Sequence, residues 1–171
     1  MSSPQQFFGK YRGSVVNNVD PMQIGRIQAM VPDVLGETPS SWAMPCVPVA
    51  GIQTGEFAVP PIGAGVWIEF EHGNSDYPIW TGCYWGSAEE VPMLAESIPP
   101  GLSGFAIQTT LGNGIVISDV PGPTGGIMLK STTGAMIIVN DTGIYIDNGQ
   151  GASIMLTGPT VAINEEALVI V

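Results

Sequence analysis

From Phe105 to the C-terminus the chain repeats one small pattern. The segments FAIQT, GIVISD, GIMLKS, AMIIVN, GIYIDN, ASIMLT, TVAIN and ALVIV follow one another. Each carries apolar residues two positions apart. From the second segment on these are Ile115/Ile117, Ile127/Leu129, Ile137/Val139, Ile144/Ile146, Ile154/Leu156, Val161/Ile163 and Leu168/Ile170. The pairs recur at intervals of 12, 10, 7, 10, 7 and 7 residues, with Gly, Asn, Asp, Thr and Pro between them. Alternation is the strand period, and a short recurring unit of strand plus turn is the signature of a stacked solenoid. Strands of about five residues with no helix to pack on cannot enclose a core alone. Several chains winding together can. Three chains, each giving one wall of a triangular prism, would bury the pairs along a common axis. Eight strands at roughly 4.8 Å each give a needle about 40 Å long, with ladder hydrogen bonds expected between chains. The positions facing the other way include Val116, Met128, Ile138, Tyr145, Met155 and Val169. That face is too apolar for plain exposure, so either the facing slips in places or this surface meets something.

The chain closes on NEEALVIV. Terminal residues are usually polar or frayed, and a bare apolar β run pairs with other chains. The run Ala167, Leu168, Val169, Ile170 and Val171 therefore calls for a cover.

The first half reads differently. Strand-like runs at 9–19, 24–31, 43–50, 65–71 and 77–85 are cut by Asp20-Pro21, by Pro32-Asp33, by a loop with Gly36 and Pro39, and by the turn HGNSD. In the fourth run Val66, Ile68 and Phe70 share one face and Trp67, Glu69 and Glu71 the other. Five short strands in this length fit a small closed barrel such as an OB-fold, and closure removes sticky edges. Residues 87–104 hold three prolines and three glutamates and read as a linker with one helical turn near Leu94. The expected organisation is all-β: a five-stranded OB barrel over 1–86, a linker over 87–104 and an intertwined trimeric β-helix over 105–171.

Composition excludes several classes. Net charge is −11, and Lys10, Arg12, Arg26 and Lys130 are the whole basic complement. That cannot build the basic face nucleic acid requires, and anionic membranes are disfavoured on the same ground. Charged residues are 11% of the chain against 44% hydrophobic, which suggests surface hidden in an assembly. The N-terminus has no secretory h-region, and no run reaches a membrane span. Cys46 and Cys83 allow one disulfide, although two free buried thiols are the simpler reading.

No cofactor is expected and no catalytic motif stands out. His72 lies in a turn with no second ligand near and reads as a polar turn residue. Glu69 and Glu71 could imitate a carboxylate pair for glycoside cleavage, but two residues on one strand face are commonly just solvated. Gly63, Gly65, Gly82 and Gly86 read as turn or close-approach positions. Asn113-Gly114 and Asp141-Thr142-Gly143 read as corner turns. Trp42, Trp67, Trp80 and Trp85 could stack bases. Without a basic groove they read as core or subunit packing. Lys10, Arg12 and Arg26 could pair with a neighbour.

The stretches GKYRGSVVNNVDPMQIGRIQAMVPDV, WAMPCVPVAG and VPPIGAGVWIEFEHGNSDYPIWTGCYWG resemble the OB-fold domain of the baseplate assembly protein V and central-spike family of contractile phage tails and related injection systems. The repeats from 105 resemble the trimeric β-helix of the same family. The resemblance implies a non-enzymatic homotrimer in a virion tail baseplate or injection particle, made in the host cytoplasm. Its OB ends would join baseplate hub proteins, and its needle would touch the target-cell membrane transiently and puncture it when the sheath contracts. Some relatives carry a wall hydrolase between the two parts, for which 87–104 is too short. Others bind iron at the tip through paired histidines, and here the one histidine, His72, is far from it. Relatives that end bluntly take a PAAR-repeat tip protein, which the run 167–171 fits. Three copies of Ile115, Ile117, Ile127, Leu129, Ile137, Val139, Ile144, Ile146, Ile154, Leu156, Val161 and Ile163 would form the trimer core. The rival readings are a trimeric adhesin or fibre tip and an OB-type nucleic-acid binder.

Overall fold

The computed structural model describes residues 5–165 and 167–170. The chain divides into two compact units, Met1–Glu90 and Val91–Val171, and the regular secondary structure of the described residues is predominantly β.

In the first unit, β1 (Tyr11–Asn17), β2 (Gln28–Met30), β3 (Met44–Pro45), β6 (Gly65–Phe70) and β7 (Pro78–Tyr84) form one sheet in the order β2-β1-β6-β7-β3. β3 runs parallel to β7, and the other pairings are antiparallel. An Ile27–Ala43 bridge joins the two outer strands, which closes the barrel. A small hairpin, β4 (Ala50–Gly51) with β5 (Thr54–Gly55), stands apart from the barrel sheet. One short helix, α1 (Pro32–Leu35), begins at the proline that stops β2 and ends at Gly36, since proline suits a first helical turn.

Alternation in β6 places Val66, Ile68 and Phe70 inside, with Val15, Ile27, Ala29, Val31, Ala43 and Trp80 completing the core. Between Val66 and Ile68 the pairing with β7 slips by one residue. The extra residue on β7 lies at Gly82, whose φ of +143° suits glycine. The Trp80 indole N–H donates to the Gly25 carbonyl at 3.0 Å.

The expectations for single residues divide. Glu71 leaves the strand face it was expected to share with Glu69, because β6 ends at Phe70 and Glu71 opens a 3₁₀ turn. Glu69 instead accepts a 2.7 Å ion pair from Lys10. Arg26 pairs with Asp20 at 2.6 Å, and the Arg12 guanidinium lies over the Trp67 and Tyr84 rings. Lys10 and Arg26 are thus engaged within the chain rather than kept for a neighbour. Cys46 and Cys83 are free, and both are exposed rather than buried. Trp80 is a core residue, Trp42 lies under Arg26, and Trp85 is exposed.

Asp20 organises the turn after β1. Its carboxylate accepts from the Arg26 side chain and from the backbone N–H groups of Met22, Ile24 and Arg26. The Arg26 hydrogen bond is the main cause that holds its pKa well below the usual carboxylate range, against the opposing effect of burial, and the backbone donors add to it. A group depressed on folding contributes stability above its unfolded pKa of about 3.9 and loses it as pH falls through the lower folded value. Tryptophan fluorescence reports only this unit, because all four tryptophans lie in it. Followed by that signal, acid unfolding should weaken the unit progressively below about pH 4. Asp20→Asn should be less stable at neutral pH and less pH-dependent in that range. An unchanged acid profile in Asp20→Asn would remove this role.

The second unit is an eight-stranded antiparallel meander, β8 (Gly104–Gln108), β9 (Gly114–Ser118), β10 (Gly126–Lys130), β11 (Met136–Asn140), β12 (Gly143–Asp147), β13 (Ser153–Thr157), β14 (Thr160–Ile163) and β15 (Leu168–Ile170), each paired to the next. The ladder hydrogen bonds expected between chains are therefore supplied within one chain, strand to following strand. Short connections of two to seven residues between consecutive strands make this possible. No helix among the described residues is long and apolar enough to cross a membrane.

Candidate assembly interface

The register of the meander turns the apolar pairs into two unbroken files. One runs Phe105, Ile117, Ile127, Val139, Ile144, Leu156, Val161, Ile170, each directly opposite the next. The other runs Ile107, Ile115, Leu129, Ile137, Ile146, Ile154, Ile163, Leu168 by the same pairings. Every expected core residue, from Ile115 to Ile163, lies in one of these files, and period two puts both files on one face of the sheet. Fourteen of the sixteen side chains are 37–56% exposed. Leaving a half-exposed Ile or Leu uncovered forgoes about 1 kcal/mol. Over sixteen positions that sum rivals the net stability of a whole domain. A continuous apolar face of this size is an interaction surface.

The opposite face behaves differently, and the facing does not slip. Ala106, Val116, Met128, Ile138, Tyr145, Met155 and Ala162 form a single central file there. It is flanked by Gly126 and Lys130 on β10, Gly143 and Asp147 on β12, and Ser153 and Thr157 on β13. Val116 and Ser118 are buried, whereas fourteen of the sixteen residues in the two files are exposed. The cover at this end comes from the 3₁₀ turn Met93–Ser97, where the helical turn near Leu94 was expected. A Cβ on Gly114 would fall 2.3 Å from the Leu94 side chain, and one on Gly104 within 2.6 Å of Ile98. The two glycines are thus notches for two apolar side chains, and the Leu94 N–H donates to Gln108 Oε1 at 2.9 Å. Long-range docking of this kind leaves no local sequence signal, apart from the paired glycines themselves.

Turns stack along each edge of the sheet. On one edge the Thr132 N–H donates to Asn113 Oδ1 at 3.0 Å and the Ser153 N–H to Asn164 Oδ1 at 3.0 Å. On the other the Gly122 N–H donates to Asp141 Oδ2 at 3.1 Å and Asn140 Nδ2 to the Pro123 carbonyl at 3.1 Å. Short polar side chains thus tie three pairs of stacked turns together at the corners of the sheet.

At the C-terminal end β15 pairs only with β14 among the described residues, so its outer ladder edge is open. Leu168 and Ile170 are exposed there and Ala167 lies in the preceding turn. Val171 and the side chain of Val169 lie outside the described residues. No group of three or more His, Cys, Asp or Glu side chains is placed to hold a metal ion among the described residues. His72 sits in its turn at φ +52°, where its carbonyl accepts from Gln6.

Comparison with known proteins agrees with this anatomy in both units. Residues 11–85 match the model of the type VI secretion system and phage-baseplate injector OB domain. Residues 104–169 match the phage baseplate V C-terminal trimerisation domain. No curated protein matches the chain. A closed five-stranded barrel and an uncovered two-file sheet thus coincide with an injector OB domain and a trimerisation domain, and the chain belongs to the phage baseplate V family of structural baseplate proteins.

Proposed function

We propose that three copies of the chain form the central spike of a contractile tail or injection-system baseplate. Residues 1–86 join baseplate hub proteins and 105–171 make the needle, with Leu94 and Ile98 of the linking stretch 87–104 docked on its first strands. The observation that carries this reading is the pair of unbroken apolar files on one face of the meander. Three such walls closed into a prism cover all of them at once, and the family's trimerisation domain supplies the count. The role is mechanical. Sheath contraction drives a stiff prism through the target envelope, and resistance to unfolding under load is a matter of kinetic stability.

The same reading assigns the cover of the C-terminal run. Three open β15 edges with Leu168 and Ile170 beside them form a small apolar triangle with unpaired backbone groups. A PAAR-repeat tip protein would satisfy both by continuing the ladder. The full chain is expected to co-purify with a co-expressed PAAR-repeat protein, and deletion of residues 167–171 is expected to abolish that capture while the trimer persists. Capture that survives the deletion, or particles that keep full killing activity without these residues, would count against the tip assignment.

A further inference from the structure

Cyclic symmetry adds a constraint to the trimer reading, on which this inference rests. In a three-walled prism each wall's first edge must meet the second edge of its neighbour at the same height. The first edge carries the turns after β8, β10, β12 and β14, and the second those after β9, β11 and β13. Lys130 is the single basic residue of the second unit. It ends β10 on the first edge, exposed, with no ion-pair partner among the described residues of its own chain. It shares the strand parity of Met128, opposite to the apolar files, so it is free to reach around a corner.

At that height the second edge presents two exposed carboxylates. Asp119 follows β9 and Asp141 follows β11, so the pair brackets the β10 layer. Asp141 is drawn toward the β9–β10 turn by its bond from the Gly122 N–H. This turns it toward the Lys130 layer and away from Asp147, which ends β12 on the first edge. A wall slid by one hairpin would face Lys130 with at most one of the two acids, since the turn between β13 and β14, Gly158-Pro159, carries none.

We infer that Lys130 forms an ion pair with Asp119 and Asp141 of the neighbouring copy, at all three corners, and that this contact favours the level pairing of two walls, which closes into a ring, over staggered pairings, which cannot close. The apolar files attract at any slide of whole hairpins, because Ile follows Ile along them. A charge contact that engages both acids in the level register alone favours that register over its neighbours. Exposed ion pairs contribute little stability, so its effect lies in specificity rather than in affinity.

A water-soluble carbodiimide tests this on the full chain. It activates a carboxylate, the lysine amine displaces the activated oxygen as a urea, and an amide joins the two side chains only where they touch. The wild type is expected to give covalent dimer and trimer bands in a boiled SDS gel. Lys130→Gln should lose them, and Asp119→Asn with Asp141→Asn should lose most of them. All of these proteins should still scatter light as trimers. A scattering trimer that yields no covalent bands, or bands that persist in Lys130→Gln, would overturn the register contact and leave the trimer intact. A wild type that scatters as a monomer would instead overturn the trimer reading beneath it.

Discussion

Ile137→Asp is expected to convert the assembly into single chains. Ile137 lies mid-sheet between Leu129 and Ile146 in its file. In a closed prism the substitution brings three carboxylates to one level of a dry interior. Burying an unpaired ion costs on the order of several kcal/mol, and three like charges at one height add mutual repulsion. Protonation relieves the repulsion but leaves three unpartnered carboxyl groups in the core. The whole trimer contact depends on that face, so the loss should be complete by light scattering and by the disappearance of an SDS-resistant band. Tryptophan emission should not change, because the barrel unit holds every tryptophan. Gln150→Asp, on an exposed turn, adds the same charge outside the files and should leave the mass unaltered. An Ile137→Asp protein that remained trimeric would show that the files do not face inward.

Trp80→Ala is expected to have the opposite distribution of effects. Trp80 is 6% exposed in the barrel core, and its indole N–H satisfies the Gly25 carbonyl. Truncating a core tryptophan costs about 3–5 kcal/mol, and the Gly25 carbonyl loses its donor besides. Against a net stability of roughly 5–15 kcal/mol for a domain that is a large share. Denaturant unfolding followed by the three remaining tryptophans should move to a much lower midpoint. The SDS-resistant band should survive, because the meander unit has its own strands and its own face. A midpoint within error of the wild type would mean that the barrel core is not built around Trp80. Loss of the band would mean that the needle depends on the barrel for its fold.

The parts of this structure that were legible in the sequence are those where one periodicity decides the outcome. Alternation alone put Val66, Ile68 and Phe70 on one face of their strand, the face that lies inside the barrel, and paired the twelve expected core residues, which the strand register then aligns in two files. Elements set by distant partners were not legible. The hairpin β4–β5 arises in Ala-Gly-Ile-Gln-Thr-Gly, which has no alternation to read. Leu94 and Ile98 dock on glycines of β9 and β8, so the burial of Val116 could not be anticipated from its own neighbours. The ladder was assigned to the wrong partners because short strands look too weak to stack by themselves. Short connections, tied in three pairs by Asn113, Asn140, Asp141 and Asn164, let one chain supply the whole ladder. What the meander leaves to other chains is therefore its face rather than its hydrogen bonds.

Native mass is the most direct test of the central claim. Light scattering on the purified full chain, with an unheated SDS gel beside it, should read three times the 17.9 kDa chain mass and show a band that resists SDS until boiled. A mass of one chain across the accessible concentration range would contradict it, because the two apolar files would then have to be covered by something other than copies of themselves.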